Sequence, residues 1–249
     1  MAMKPGLAAP VLAAIALLAG CGADPASEPA PSPLASPGGE GGTATVPTPE
    51  AAASVVPVLN AKGYPPRDDC SALPGWTEFR AKLQTAVKQR DADALAALSD
   101  PGIELDYGGG AGVRELRRRL DDQEYKLWDE IDALLPLGCG FKEGNAFLPW
   151  VFWNDPDNAD PYTAMLVLGS AVPARTKPEA SAPVIGTLDW AFVDFADDAD
   201  PAANFTRVKL PGGAIGYVES RKLRSLIDYR LIAERGKQGW RITALIAGD

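Results

Sequence analysis

Hydrophobic residues between positions 71 and 135 recur every three or four residues, which is the spacing of one face of an α-helix. The repeating sets are Trp76, Phe79, Leu83 and Val87, then Val113, Leu116 and Leu120, then Tyr125, Trp128, Ile131 and Leu135. Asp91 can cap a further short helix that ends near Leu98, and the alternation over Ile103–Tyr107 predicts one strand. The segment 58–163 is therefore predicted to be mainly helical.

The hydrophobic spacing changes after residue 163 to period two and to short apolar runs, which are typical of strands. The predicted strands are Ala164–Leu168, Val184–Leu188, Trp190–Phe195, Phe205–Leu210 and Ile215–Val218. Pro211, Gly212 and Gly213 supply the turn of a hairpin between the last two. Short strands at this spacing favour a small β-barrel over residues 164–223.

The C-terminal segment 224–249 alternates again and predicts a further hairpin. Trp240, Ile242, Ala244 and Ile246 share one face of its second strand. We expect this hairpin to pack on the N-terminal region, near the strand predicted at Ile103–Tyr107. The predicted fold class is α+β: an N-terminal mainly helical half, then a small barrel, then a C-terminal β-hairpin.

The N-terminus has the layout of an export signal. Lys4 precedes an uncharged apolar run over residues 11–19, which is much shorter than the ~20 residues of a membrane-spanning helix. The segment 17–21, LLAGC, resembles the bacterial lipoprotein box. That resemblance implies cleavage after residue 20 and lipid attachment to Cys21. The alternative is an ordinary secretory signal that contains a cysteine.

The resemblance to lipoproteins also implies a cell address. Gly22 stands where aspartate would signal retention in the inner membrane, so we expect anchoring on the periplasmic side of the envelope, in the outer membrane rather than the inner one. Residues 21–57 are rich in proline, alanine and glycine and lack aliphatic spacing, which predicts a disordered tether. The predicted segments are 1–20, 21–57, 58–163, 164–223 and 224–249.

Charge and composition exclude several functions. The chain has 24 basic and 33 acidic residues, a net charge of −9, which argues against a nucleic-acid partner. It contains no histidine, which excludes Ser-His-Asp catalysis and His-ligated metal or haem sites. We predict no catalytic residue, no cofactor and no metal site. With Cys21 assigned to lipid, Cys70 and Cys139 are expected to form a disulfide; the alternative is two buried free thiols.

Two loops invite ligand hypotheses that their residues do not support. The glycine loop 108–112 is followed by Val113, where a Walker loop needs lysine and the dinucleotide motif needs glycine. The loop 154–160 has Ala159 and Asp160, where a calcium loop needs an oxygen ligand and glycine. A small anion held by the arginines of the following helix, or a solvated face, remains open. These arginines are Arg114, Arg117, Arg118 and Arg119.

The stretches 172–178, 182–188 and 205–223 resemble the bacterial Src-homology-3-like (SH3b) domain. The matching residues are Arg175, Pro178, Ile185, Gly186, Leu188, Gly216, Tyr217 and Val218. The resemblance implies an SH3-like barrel over 164–223 and binding of peptidoglycan or short peptides along an aromatic-lined groove. Candidate groove residues are Tyr217, Phe205, Trp190 and Arg175. Lys177 and Phe205 depart from the family, which often has glycine and tryptophan there.

These observations predict a non-enzymatic, lipid-anchored envelope protein that binds peptidoglycan or an envelope protein. One alternative is a structural or assembly role without a small ligand. Another is a small-ligand or enzymatic site in the N-terminal half, which would resemble the cone-shaped cystatin-like fold. Its candidate residues are Asp106, Tyr107, Arg114 and Glu115.

Overall fold

The computed structural model describes residues 56–154, 159–196, 200 and 202–248. Residues 53–249 form one compact unit. The predicted signal, Cys21 and nearly all of the predicted tether lie outside the described residues. The helices are α1 (Trp76–Gln89), α2 (Ala92–Leu98), α3 (Val113–Asp121) and α4 (Leu127–Leu134).

Strands fall into two sheets. The six-stranded sheet comprises β1 (Arg67–Asp68), β2 (Ser99–Glu104), β3 (Gly138–Lys142), β4 (Asn145–Leu148), β12 (Arg230–Gly236) and β13 (Gly239–Ile246), in the order β1-β3-β4-β12-β13-β2. The seven-stranded sheet comprises β5 (Ala164–Val167), β6 (Val172–Arg175), β7 (Val184–Leu188), β8 (Phe192–Phe195), β9 (Phe205–Lys209), β10 (Ile215–Glu219) and β11 (Leu223–Ser225), in the order β11-β5-β8-β9-β10-β6-β7.

The helices form because their apolar stripes have a sheet to cover. Trp76, Phe79, Leu83 and Val87 on α1 are all buried, which is the stripe the sequence predicts. Asp91 caps α2 by accepting hydrogen bonds from the next turn's backbone N–H groups. One core joins the helices to the inner face of the six-stranded sheet. It includes Leu116, Ile131, Leu148, Leu231 and Leu245.

The C-terminal hairpin lies at the centre of this sheet. β12 pairs antiparallel with β4, and β13 pairs parallel with β2, where Ala244 is opposite Glu104. Since β4 and β12 are neighbours, the whole seven-stranded sheet is inserted in sequence between two adjacent strands of the first. Residues near 58 also join the second sheet, because Val58 bridges to Thr187.

The predicted fold class is wrong. The described residues are mostly β, in two large sheets with four short helices, and do not form a helical half followed by a small barrel. The predicted helical segment supplies four strands of the first sheet, and the predicted five-strand barrel is instead a seven-stranded sheet. The strand expected at Ile103–Tyr107 ends at Glu104. β3 (GCGFK) and β4 (NAFL) do not alternate apolar and polar residues, so neither shows the period of a half-buried strand.

Gly138 explains why the sequence did not predict strand β3. Pro136 and Gly138 have the pattern of a helix stop, whereas Gly138 begins a strand beside β1 with a φ of 83°. A Cβ at this position would lie 2.0 Å from the Arg67 carbonyl oxygen. Glycine is therefore required for the close parallel approach of β1 to β3.

A disulfide joins Cys70 to Cys139, in agreement with the expected pair. Both cysteines are fully buried in the core of the first sheet. Cys139 lies on β3 and Cys70 follows β1, so the bond fastens the edge of the sheet to the chain that leads into α1.

None of the helices in the described part of the chain combines the length and the apolar character that crossing a bilayer requires.

Candidate functional site

Three of the four predicted groove residues lie on one face of the seven-stranded sheet. Tyr217 on β10 is opposite Arg175 on β6 and opposite Arg207 on β9. Residues that face each other across antiparallel strands point to the same side. Arg175, Tyr217 and Arg207 therefore form a row across three strands, and each is half-buried.

The row continues one step along the strands, where Phe205 is opposite Glu219. We call the surface formed by Arg175, Tyr217, Arg207, Phe205 and Glu219 the β10 face. The intervening residues point the other way: Val208 and Val218 are fully buried in the core of this sheet. Neither Tyr217 nor Phe205 belongs to that core, so both aromatics contribute to the outer surface.

Arg175 is held in place by the backbone. Its Nη1 donates a hydrogen bond of 2.8 Å to the Ala182 carbonyl oxygen, across the β6–β7 turn. The contact uses one of five guanidinium donors and a neutral acceptor, so the positive charge is retained beside Tyr217. Fixing the side chain in advance lowers the entropy cost of binding an anionic group.

The structure does not place Trp190 in this row. Trp190 lies in the turn between β7 and β8 with a φ of 47°. Its backbone N–H donates to the Gly169 carbonyl and its own carbonyl accepts from the Tyr64 N–H, each at 2.8 Å. Trp190 therefore ties the N-terminal chain to the second sheet, and the predicted groove reduces to Arg175, Tyr217 and Phe205.

A second polar cluster surrounds Arg119 on α3, which is 6% exposed. Its guanidinium donates to Glu115 Oε1 at 2.8 Å, to the Leu105 carbonyl at 2.7 Å and to the Asp106 carboxylate. Asp106 also accepts from the Gly110 N–H at 2.8 Å. The glycine loop is therefore closed around a carboxylate of its own chain.

The other two candidate residues of the N-terminal half, Tyr107 and Arg114, do not join the cluster around Arg119. The Tyr107 hydroxyl accepts a 2.6 Å hydrogen bond from Arg230, while Arg114 is exposed. The anion hypothesis for the arginines of α3 also loses support: Arg117 pairs with Asp93, and Arg118 pairs with Glu115. These carboxylates already neutralise the cations that an anion would need.

Arg230 is a functional candidate that sequence reasoning missed, whereas Arg119 was named only as one of four arginines for a small anion. The burial of Arg119 could have been predicted, because it falls beside Leu116 and Leu120 on the apolar stripe of its helix. Arg230 is 3% exposed, donates to the Ile227 carbonyl at 3.1 Å and lies 4.5 Å from the Phe152 ring centre. Its burial depends on contacts with residues distant in sequence, which no local pattern reveals.

Two further groups, one on α4 and one just before β12, have altered pKa values. Burial, and then the nearby Asp228 carboxylate, raises the pKa of Glu130 above its ordinary value. Burial likewise raises the pKa of Tyr229. A carboxyl group of this kind holds its proton to higher pH than usual, which is the property that acid–base chemistry would use.

The α3 cluster has a measurable pH signature. Hydrogen bonds from Arg118, and then from Arg119, lower the pKa of Glu115 from 4.5 to about 2. Because the folded-state pKa is the lower one, the stabilisation is complete above about pH 4.5 and is lost as the pH falls through 2.

We expect Glu115→Gln to flatten the acid-induced loss of stability, measured by urea unfolding at about pH 7 and about pH 3. Glu124→Gln is the matched control, because Glu124 is exposed and has no ion pair among the described residues; equal slopes in the two variants would contradict the assignment.

One group of metal-ligand type occurs in the described chain: Asp68, Cys70 and Cys139 lie within reach of one another. The two sulfur atoms are bonded to each other, so neither is available as a thiolate. These three residues therefore do not support a metal site.

Comparison with known proteins leaves the family open. No protein-family model matches the chain, and no curated protein matches it. Among solved structures, the chain is similar to a crystal structure of an NTF2-like protein with a cystatin-like fold from Novosphingobium aromaticivorans. That match has a TM-score of 0.26 and 14% identity, and covers 68% of this chain and 75% of that chain. A score this low carries no argument about fold or function.

Proposed function

We propose that this chain is a lipid-anchored protein of the bacterial cell envelope that binds peptidoglycan or an envelope protein without catalysing a reaction. The observation that carries the proposal is the Arg175–Tyr217 pair, set in register across β6 and β10 on the outer side of the second sheet. A fixed guanidinium beside an aromatic ring can bind a carboxylate and an adjacent flat, apolar group together.

Peptidoglycan offers both of these groups, since its peptides carry carboxylates and its sugars present apolar faces. The choice of this ligand comes from the sequence resemblance of residues 172–223 to bacterial SH3-like domains. The proposed binding of peptidoglycan requires the β10 face, and it does not require a closed barrel.

The location follows from the N-terminal sequence. Lipid on Cys21 would hold the chain at the membrane, and residues 22–57 contain eight prolines. A flexible segment of this length spans roughly 33 Å on average and about 110 Å when extended. The compact unit could therefore reach the cell wall while the lipid remains in the membrane.

Co-sedimentation with purified, insoluble peptidoglycan tests the proposal. We expect the wild-type chain to sediment with the wall and Tyr217→Ala to bind about tenfold more weakly, as expected for loss of an aromatic anchor worth ~1.4 kcal/mol. Phe141→Ala is the control, because Phe141 is an exposed aromatic on the other sheet. Absence of wild-type binding, or equal weakening by both substitutions, would instead favour a structural or assembly role.

A further inference from the structure

We infer that a cavity at the tip of the β12–β13 hairpin binds a small organic carboxylate that also carries an apolar group. This site lies on the first sheet and is separate from the β10 face, so it does not depend on the proposed cell-wall function. Its lining combines a fixed guanidinium, an arginine whose side chain has no partner among the described residues, and a buried aromatic ring.

The cavity has a volume of about 290 Å³. It lies between the start of α1, the end of α2 and the hairpin tip, and its lining includes Phe79, Leu98, Arg235, Gln238, Trp240 and Arg241. Sites for drug-sized ligands occupy roughly 300–1,000 Å³. A cavity at the bottom of this range suits a molecule no larger than a substituted benzene or a short fatty acid.

Arg241 supplies an oriented positive charge. Its Nη1 donates to the Ala97 and Ser99 carbonyl oxygens at 3.2 Å and 3.0 Å, and its Nη2 donates to Gln238 Oε1 at 3.1 Å. All three acceptors are neutral, and no carboxylate in the described part of the chain forms an ion pair with Arg241. The guanidinium is thus positioned by neutral acceptors, without an ion pair to any described carboxylate.

Arg235 adds a second positive charge, since its side chain forms no hydrogen bond or ion pair with the residues that the structure describes. Lys82 and Glu78 also line the cavity, but they pair with each other at 2.8 Å and cancel. Two arginines without a carboxylate partner therefore favour an anionic ligand here. Asp100, Glu234 and Lys237 line an adjoining groove together with Arg241, and Glu234 is the cross-strand neighbour of Arg241.

The apolar part of the ligand would contact Trp240. This indole is 7% exposed, donates from Nε1 to the Pro74 carbonyl at 3.0 Å, and packs edge-on against Trp76 with ring centres 5.0 Å apart. The ring is consequently rigid, and with Phe79 it offers an apolar wall beside the arginines. Rigid aromatic walls bind flat groups at little entropic cost.

Saturation-transfer NMR on the full chain in detergent tests the inference with two probes of matched shape. Benzoate should receive saturation from the protein, and benzylamine, which carries the opposite charge, should not. Arg235→Gln should weaken benzoate binding by about fivefold, the loss of one charge-assisted hydrogen bond. Lys237→Gln removes the same charge from the adjoining groove and should leave benzoate affinity unchanged.

Arg235 and Lys237 are both exposed, so neither substitution removes a buried side chain and neither should disturb folding. The inference is overturned if benzoate receives no saturation, if benzylamine binds as well as benzoate, or if the two substitutions have equal effects.

Discussion

Replacing both Cys70 and Cys139 by alanine should lower the free energy of unfolding by about 4 kcal/mol, the largest single effect on stability that we expect. The disulfide closes a loop with a sequence separation of 69 residues. By the loop-entropy relation, such a crosslink removes enough freedom from the unfolded chain to contribute this amount. Both side chains are fully buried, so a packing loss adds to the entropic one.

Urea unfolding of the compact unit, residues 53–249, measures this effect. The unsubstituted chain in the presence of a thiol reductant is the matched control, because it loses the crosslink and keeps the sulfur atoms. We expect the reduced chain to show most of the loss and the double variant slightly more. A loss below about 1 kcal/mol in both samples would show that the crosslink does not constrain the unfolded state.

Cys21→Ser should abolish membrane attachment of the full chain, the largest effect that we expect in the cell. Serine has no thiol to receive diacylglycerol, and acyl chains stabilise membrane binding by ~0.8 kcal/mol for each buried methylene group. Because the variant carries no acyl chains, we expect it to lose its attachment to the membrane.

Membrane fractionation with radiolabelled palmitate reads out this change. The Cys21→Ser chain should be unlabelled and absent from the membrane fraction. A Cys139→Ser chain is the control, since it also lacks one cysteine and should keep the label. Palmitate in the Cys21→Ser chain, or its absence from the wild type, would contradict lipidation at this residue.

The helices could be predicted from the sequence because their signals are local. The stripe from Trp76 to Val87 and the cap at Asp91 lie within one or two turns of the residues they organise. The strands of the first sheet could not be predicted in the same way. β4 pairs with β12, whose residues lie more than 80 positions further along the chain. The four residues of β4 therefore do not indicate which strand they pair with.

Two features misled the prediction of fold class. The helices are conspicuous in sequence but short, while β1 has only two residues and β3 begins at a glycine that resembles a helix stop. In the second half, β6 carries Pro173 and is not among the strands predicted from the sequence, although it pairs with both β7 and β10. Proline at this position removes a donor without preventing pairing of the neighbouring residues.

The sequence likewise predicted some residues of the candidate sites and not others. Tyr217, Phe205 and Arg175 could be chosen from the sequence through its resemblance to bacterial SH3-like domains, and the β9–β10 register brings Phe205 opposite Glu219 and next to Tyr217. Trp190 lies outside the β10 face, and its position in a turn depends on backbone contacts with Gly169 and Tyr64 that the sequence does not reveal. The hairpin-tip cavity was not predicted, because its walls come from α1, α2 and β13 together.

Photo-crosslinking in the living cell tests the central claim most directly, because it asks whether the β10 face touches the cell wall. A photoreactive residue would replace Tyr217 in the full lipidated chain, and a second chain would carry it at Phe141 on the other sheet. The account predicts that position 217 becomes crosslinked to peptidoglycan fragments and that position 141 does not. Crosslinking at position 141 alone, or at neither position, would contradict it.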